Sequence, residues 1–304
     1  TRPAKEFGPR AMQGRIFDDL VFRDSGPSED CLTLNVWTPA TPPGPKLPVM
    51  VWIHGGGFVA GGSSEPRQDG ARLTRRGVVV VSMNYRMGVF GFLAHPELTR
   101  ESPDHASGNY VLMDMIAALR WVRAIIEAFG GDPGNVTIFG ESAGSAAVNA
   151  LMASPAAKGL FHRAIAESGT IFSRAGRPLL TRAEAEAHGA AFARGTFGTD
   201  SLAELRALPA EQLLAATLTP PRPRFTAIVD GHVLTADARS TFGTGRQAHV
   251  PLLAGWNRDE DGHQALFGTD APTLANYGPR AQARLGARAE AFRKLYAAAS
   301  DAEA

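Results

Sequence analysis

The sequence predicts an α/β fold in which a mostly parallel central sheet carries helices on both faces. Three observations predict it. Several continuous apolar runs have the composition of strands covered on both faces, and segments with helical periodicity alternate with them. The chain has 304 residues, which is enough to bury a large core. We therefore expect residues 1–304 to form a single α/β domain.

Three strands are predicted in the first part of the chain. The first is rich in apolar and β-branched residues and ends at a proline-rich turn. The other two are continuous apolar runs, as expected of buried parallel strands. They cover residues 31–37, 49–53 and 78–85.

The remaining elements follow in the same alternating order. A long helix with broad apolar faces leads through a glycine-rich turn cluster into a short apolar strand, and an Ala-rich helix follows that strand. Beyond it we expect a strand, a helical stretch, an edge-like extended segment, a further strand and a C-terminal helical stretch. The predicted ranges are 111–128, 136–139, 143–153, 162–168, 182–216, 225–231, 250–255 and 263–304.

Composition and charge exclude several functional classes. The net charge is +1 with both signs interspersed, so the chain lacks the electrostatic footprint of a protein that binds nucleic acid or an acidic membrane surface. Its apolar runs stay below the roughly 18 residues that span a bilayer, and no signal-peptide pattern is present in it. Cys31 is the only cysteine, so we expect no internal disulfide, and no Cys/His cluster indicates a metal. Compartment and oligomeric state stay open.

The pentapeptide G-E-S-A-G at residues 140–144 follows an apolar strand and precedes a predicted helix. A serine in such a sharp turn adopts a strained backbone conformation and exposes its hydroxyl at the top of a sheet. Side chains at Gly140 and Gly144 would collide across that turn. The pattern therefore predicts that Ser142 is a nucleophile. Glu141 is expected either to add negative potential near a leaving group or to be a helix-start carboxylate that the dipole stabilises.

A second motif, H-G-G-G, follows the second predicted strand. Its glycines, among them Gly55, cannot obstruct a substrate, and their N–H groups can converge on one point. Acyl transfer needs such donors for the oxyanion of the transition state, each worth on the order of 3 kcal/mol. We expect the backbone N–H groups of Gly56, Gly57 and Ala143 to supply them. His54 is expected to hold the loop through hydrogen bonds, and a flexible glycine turn is the alternative interpretation.

Three carboxylates, Asp259, Glu260 and Asp261, follow the last predicted strand. Sites in parallel sheets lie at the carboxyl ends of the strands, so these groups are expected near Ser142. The order of serine first and acid second is that of the Ser–acid–His triad in such folds. The residues alone leave open which of the three carboxylates acts.

Together these motifs resemble the type-B carboxylesterases, which include bacterial p-nitrobenzyl esterases and the cholinesterases. The resemblance covers nearly the whole chain. The matching segments are E-D-C-L-T-L-N-V-W-T-P at 29–39, N-Y-R at 84–86, F-G-G through G-E-S-A-G at 129–144, G-L-F-H-R-A-I at 159–165 and G-x-N-x-D-E at 255–260.

The resemblance implies an α/β-hydrolase fold and a serine carboxylesterase that hydrolyses esters through an acyl-serine intermediate. It implies short- to medium-chain or aryl esters as substrates, with no metal or cofactor. Ser142 is then the nucleophile, Glu260 the triad acid, and Thr170 a hydroxyl beside that acid, and the oxyanion donors are those named above. Residues 171–224 and 263–304 are expected to form helical walls or a lid over the substrate pocket.

Several positions depart from the family pattern. Asp261 follows the acid where the family usually has glycine, so the acid loop is expected to be reshaped. The family's cysteine partner for Cys31 would fall at Ala11, which predicts a buried free thiol.

This sequence is shorter than the family members that it resembles. Family members run well past 304 residues, so the fold is expected to be incomplete at both ends, with the catalytic histidine beyond residue 304. We expect this chain alone to be inactive. His263, three positions after Glu260, is interpreted as a surface histidine. The alternative function is a non-catalytic, neuroligin-like interaction protein or an inactive fragment.

Overall fold

The structure is a computed structural model, which describes residues 4–39, 44–172, 179–219, 223–258, 260 and 263–303. The chain divides into two compact units, Thr1–Gly255 and Trp256–Ala304. The first unit contains the strands of the central sheet, and the described elements of the second unit are helices.

The sheet of the first unit is mostly parallel, as predicted. The strands are β1 (Arg10–Ala11), β2 (Pro27–Ser28), β3 (Leu34–Trp37), β4 (Leu47–Ile53), β5 (Val79–Met83), β6 (Gly131–Glu141), β7 (Arg163–Glu167) and β8 (Leu252–Gly255). The order across the large sheet is β3-β5-β4-β6-β7-β8. β3 is antiparallel to β5, whereas the pairs β5–β4, β4–β6, β6–β7 and β7–β8 are parallel, and β1 and β2 form a separate two-stranded ladder.

Helices connect these strands. Those of the first unit are α1 (Ala71–Thr74), α2 (Gly88–Phe92), α3 (Pro96–Glu101), α4 (Tyr110–Ile125), α5 (Ala143–Ala153), α6 (Arg182–Phe197), α7 (Leu202–Ala207), α8 (Ala210–Leu218) and α9 (Ala238–Gly243). Short 3-10 helices lie at Pro66–Gln68, Ile126–Phe129 and Pro155–Ala157.

The central strands carry the core. Every residue of β5 is buried, and Val49, Val51 and Ile53 of β4 are fully buried. The long helix α4 contributes Leu119 and Val122 to the same apolar cluster. Each such side chain stabilises the fold by about 1.5–3 kcal/mol, so the apolar runs of the sequence do form the interior.

The sheet order places the two strands that precede the sequence motifs side by side. Within the β4–β6 ladder, Val51 pairs with Ile138 and Ile53 pairs with Gly140. Both strands therefore end at the same edge of the sheet, at the same level. The H-G-G-G loop leaves β4 at this edge, and the G-E-S-A-G turn leaves β6 beside it.

The stretch predicted as one helical region over residues 182–216 consists of three helices. Thr181 and Glu184 form a capping box that starts α6, because each side chain accepts a hydrogen bond from the other's backbone N–H. α6 ends where Gly198 adopts a left-handed conformation with φ 74°. Ser201 caps α7, and Pro209 precedes α8, so capping residues and a proline divide the region into three helices.

Two segments differ from their predicted form. Residues 225–231 contribute only an isolated bridge, in which Val229 pairs with Thr181. Residues 131–135 of the predicted turn cluster lie within β6, because Gly131 pairs with Leu47 before the register shifts. An Asp132 side chain that accepts a hydrogen bond from Gly134 N at 2.8 Å makes the local turn there.

The second unit contains α10 (Gln264–Phe267), α11 (Leu274–Leu285), a 3-10 turn at Gly286–Arg288 and α12 (Ala289–Leu295). Buried Phe267, Tyr277 and Ala281 form its interior. Among all described residues of the chain, none of the helices combines the length and the apolar character needed to cross a bilayer.

Candidate active site

Ser142 occupies the sharp turn between β6 and α5. Its backbone has φ 55° and ψ −116°, a conformation that costs a non-glycine residue of order 1–3 kcal/mol. Two hydrogen bonds hold it there. Ser142 N donates to Glu167 O at 2.9 Å, and Ser142 O accepts from Ala146 N at 3.0 Å in the first turn of α5. The serine is thus fixed between β7 and the helix.

The glycines around this turn are steric requirements. A methyl group built on Gly144 would lie 2.0 Å from Ile53 O, and one on Gly140 would lie 2.7 Å from the same oxygen. Gly169 approaches from the other side, where a methyl group would lie 2.0 Å from Ser142 O. No side chain fits at these three positions, as the sequence predicts for the first two.

The glycine loop lies beside the serine. A methyl group built on Gly55 would be 3.3 Å from Ser142 Cβ and 2.8 Å from Glu141 Oε2. Gly56 has φ 98°, which favours glycine, and a methyl group there would lie 2.0 Å from Ala60 O. The backbone of the loop is therefore close enough to Ser142 for one carbonyl group to contact both.

Hydrogen bonds to the loop's carbonyl groups determine where its N–H groups point. Gly56 O accepts from Val59 N at 3.1 Å and from Ala60 N at 3.0 Å. The N–H and C=O of a trans peptide point in opposite directions, so the Gly57 N–H is directed away from these donors. In the same way Ser142 O is bound within α5, so the Ala143 N–H at the helix N-terminus points away from that hydrogen bond.

His54 is completely buried beneath the loop. Its Nδ1 lies 2.9 Å from Gly55 O and 3.1 Å from the Tyr85 hydroxyl oxygen, and its ring stacks on Tyr85 with 4.2 Å between centroids. Burial lowers the pKa of His54 to about 4, so the ring is neutral at physiological pH. These contacts fit the predicted supporting role.

Tyr85 is a site residue that the sequence reasoning missed. It lies just beyond β5, at the same edge of the sheet as the glycine loop. Its position in the N-Y-R motif after a buried strand was the available signal, but its partner could not be read from a linear pattern. Ser145 was also missed, and its hydroxyl donates to Gly169 O at 2.7 Å, close to Ser142.

Glu141 is exposed, and its partner in the sheet register is Glu167 of β7. Its carboxylate lies against the glycine loop, as the contact with Gly55 shows. Both interpretations of Glu141 stay open, because this position is close both to the serine and to the start of α5. Thr170 is exposed, and its Oγ1 accepts a hydrogen bond from Phe172 N at 3.0 Å.

Glu260 belongs to the second unit. Its Oε1 accepts hydrogen bonds from Asn257 N at 2.8 Å and from Asn257 Nδ2 at 2.9 Å. The competing carboxylates Asp259 and Asp261 lie outside the described residues. Glu260 as the triad acid therefore stays a prediction.

His263 is exposed and precedes α10. In the described part of the chain no side chain hydrogen-bonds the Ser142 hydroxyl. The same described residues contain no group of three or more His, Cys, Asp or Glu placed to hold a metal ion.

Cys31 is a buried free thiol. Burial, with the nearby Asp114 carboxylate, raises its pKa to about 11, so the thiol stays protonated and unreactive at neutral pH. It lines a cavity of about 300 Å³ together with Ala11, the position at which the family resemblance places a cysteine.

Comparison with known proteins gives one consistent result. The model of the carboxylesterase family matches residues 1–302. Fumonisin B1 esterase of Sphingopyxis macrogoltabida is 39% identical over 100% of this chain and 55% of its own length. Para-nitrobenzyl esterase of Bacillus subtilis (strain 168) is 45% identical over 77% of this chain and 47% of its own length. The chain spans about half the length of the curated relatives it matches.

Solved structures give the same result for the fold. A PNB esterase matches with a TM-score of 0.73 and 39% identity, over 95% of this chain and 60% of its own. A thermophilic PNB esterase matches with a TM-score of 0.75, the same identity and the same coverage.

Proposed function

The chain belongs to the carboxylesterase family and has the α/β-hydrolase fold, and we propose that it carries the nucleophile of a serine carboxylesterase. One observation carries the proposal. Ser142 sits in a strained turn with φ 55°, and the neighbouring glycine loop approaches so closely that a methyl group on Gly55 would lie 3.3 Å from Ser142 Cβ. A hydroxyl thus borders the same small space as backbone N–H groups that have no hydrogen-bond acceptor among the described residues.

In the proposed reaction, the Ser142 hydroxyl oxygen attacks the ester carbonyl carbon and its proton passes to a histidine base. The backbone N–H groups of Gly56, Gly57 and Ala143 stabilise the oxyanion. Collapse of this intermediate expels the alcohol, which takes the proton from the histidine, and leaves an acyl-serine. Water then attacks the acyl-serine by the same steps and releases the acid.

Glu260 is proposed to orient the histidine and to stabilise its charged form. Its place after β8, at the carboxyl end of a parallel strand, supports the proposal. Thr170 is proposed to assist that acid through its hydroxyl.

The proposed substrates are carboxylic esters of short to medium acyl chains or aryl alcohols. The resemblance to a para-nitrobenzyl esterase supports esters whose alcohol part carries an aromatic ring, since a nitrobenzyl group contains one. Helices α6 to α8, within residues 171–224, are proposed to form a wall of the pocket, and the helices of residues 263–304 a second wall or lid.

The test is replacement of Ser142. In the complete natural polypeptide that contains this sequence, Ser142→Ala should lower p-nitrophenyl acetate turnover by at least about 10⁴-fold, because no other group can form the acyl intermediate. The matched control is Ser240→Ala, which alters an exposed serine of α9 and should leave turnover unchanged.

Labelling with a fluorophosphonate probe provides an independent readout. Mass spectrometry should locate the adduct on Ser142 in the wild type and find none in Ser142→Ala. Retained turnover in Ser142→Ala would refute the nucleophile assignment. A wild-type protein that neither turns over esters nor takes up the probe would favour the non-catalytic interaction protein.

A further inference from the structure

Tyr85 is fully buried behind the glycine loop. Its ring stacks on the His54 ring with an interplanar angle of 13°. The ring of Phe58 packs edge-on against the Tyr85 ring, with 6.4 Å between the two centroids. Burial of a phenol is costly unless its hydroxyl has a partner. The partners of this hydroxyl are both on His54: the backbone oxygen at 2.5 Å and Nδ1 at 3.1 Å.

The positions of the protons follow from the atoms involved. A carbonyl oxygen only accepts, so the Tyr85 hydroxyl donates to His54 O. Gly55 O also only accepts and lies 2.9 Å from His54 Nδ1, so Nδ1 carries the proton of the neutral ring. The Tyr85 oxygen can then accept a share of the same proton. His54 Nε2 is left with its lone pair, and it has no hydrogen-bond partner among the described residues.

Two consecutive peptide groups are fixed by this arrangement. The bond from Tyr85 to His54 O orients the peptide between His54 and Gly55. The bond from His54 Nδ1 to Gly55 O orients the peptide between Gly55 and Gly56, whose N–H belongs to Gly56. Because N–H and C=O of a trans peptide point in opposite directions, holding Gly55 O toward His54 holds the Gly56 N–H away from it.

A glycine run is the place where such fixation matters most. Glycine has a wide choice of backbone angles, and a flipped peptide would turn a carbonyl oxygen toward a developing negative charge. Gly56 and Gly57 have left-handed φ values of 98° and 66°. The carbonyl of Gly56 is held by Val59 N and Ala60 N, whereas His54 Nδ1 is the one hydrogen-bond donor to the Gly55 carbonyl among the described residues.

We propose that Tyr85 is a positioning residue for the oxyanion hole, which acts through His54 to hold the Gly56 N–H toward the reacting carbonyl. The inference rests on the proposed esterase function. It assigns to Tyr85 a role in the transition state that a side chain needed only for packing would not have.

The experiment compares Tyr85→Phe with the matched control Tyr110→Phe in the complete natural polypeptide. Tyr110 is a partly buried tyrosine of α4 whose ring faces Arg86. Loss of one oxyanion donor costs about 10²–10³-fold in kcat, and Tyr85→Phe loosens a donor without removing it. We therefore expect kcat for p-nitrophenyl acetate to fall about tenfold with KM within about twofold, and Tyr110→Phe to change neither.

A boronic acid gives a readout that a purely structural role would not move. Its tetrahedral adduct with Ser142 uses the oxyanion donors, so its inhibition constant should rise about tenfold in Tyr85→Phe, in step with the fall in kcat. Equal melting temperatures would show that the fold is retained. An unchanged boronate constant, or the same loss in Tyr110→Phe, would overturn the proposal.

Variants at His54 test whether Tyr85 acts through the hydrogen bond from His54 Nδ1 to Gly55 O. The side-chain amide of His54→Asn can place an N–H donor near the position of Nδ1, whereas His54→Leu cannot. We expect kcat to be higher in His54→Asn than in His54→Leu. Equal losses of kcat would contradict a role for the hydrogen bond to Gly55 O.

A measurement that needs no activity separates this inference from the proposed function. Nitrogen-15 NMR of histidine-labelled protein should show His54, identified by its absence in His54→Asn, as the Nδ1–H tautomer. The Nε2–H tautomer in the wild type would overturn the geometry. If Ser142→Ala turns over ester as well as the wild type does, the proposed function fails, and the catalytic role of Tyr85 is refuted with it.

Discussion

Gly169 is a residue whose importance lies in the side chain it lacks. It does not have a positive φ, so its backbone conformation alone would accept alanine, yet a methyl group would lie 2.0 Å from Ser142 O. Because that carbonyl starts the hydrogen bonding of α5, any displacement of it also displaces Ser142. The sequence places this glycine after a strand but cannot show what it approaches.

Gly169→Ala should therefore destabilise the protein. We expect a loss of about 1–3 kcal/mol in the free energy of unfolding, from overpacking against the Ser142 backbone, together with a lower kcat. The matched control is Gly195→Ala in α6, where nothing lies within 4 Å of the added methyl group. That change should stabilise the protein by about 0.5–1 kcal/mol. Urea denaturation measures both, and similar values for the two variants would contradict the close approach at Gly169.

His54 makes stability depend on pH. Its pKa is lowered by burial from 6.5 to about 4, so between these values the unfolded chain binds a proton that the folded protein does not. The contribution of His54 to the free energy of unfolding is thus fully present above pH 6.5 and is lost as the pH decreases toward 4. The loss from this residue is on the order of 3 kcal/mol at the acid end of the window.

The check is a series of urea denaturation curves from pH 7 to pH 4. The wild type should lose more stability over this range than His54→Asn, which has no titratable ring at this position. Tyr85, stacked on His54, does not contribute, because burial raises its pKa far above the window. Parallel pH profiles for the two proteins would mean that His54 is not buried as a neutral ring.

Apolar runs in the sequence predict the strands of the sheet more closely than they predict the ends of the helices. β4 and β5 coincide closely with their predicted ranges, since continuous apolar character is enough to mark a buried strand. The region that forms α6, α7 and α8 was predicted as one helical stretch, although Gly198 and Pro209 mark its breaks. Those signals are local and weak beside a long run of helix-favouring residues.

Some features of the candidate site could likewise be predicted from the sequence, and others could not. The strained turn at Ser142 and the glycine-rich loop could be predicted because each needs a short, fixed spacing of residues in the sequence. Tyr85 and Gly169 could not, because they act through neighbours that only the folded backbone supplies.

For the position of the candidate site, the order of the strands in the sheet matters more than any single strand. β4 and β6 are neighbours although β5 lies between them in the chain. The sequence predicts a parallel α/β sheet but not this order, because strand adjacency depends on crossover connections that pattern alone does not specify.

The pairing of Ile53 with Gly140 has a consequence for the refolding protein. On the proposed function, Ser142 reacts with a fluorophosphonate probe only after β4 and β6 have paired, so uptake of the probe reports when the middle of the sheet assembles. During refolding of the complete polypeptide, fluorophosphonate uptake should lag behind the far-ultraviolet signal of the helices, because contacts distant in sequence close slowly. Simultaneous recovery of the two signals would indicate that β4 and β6 pair at the outset.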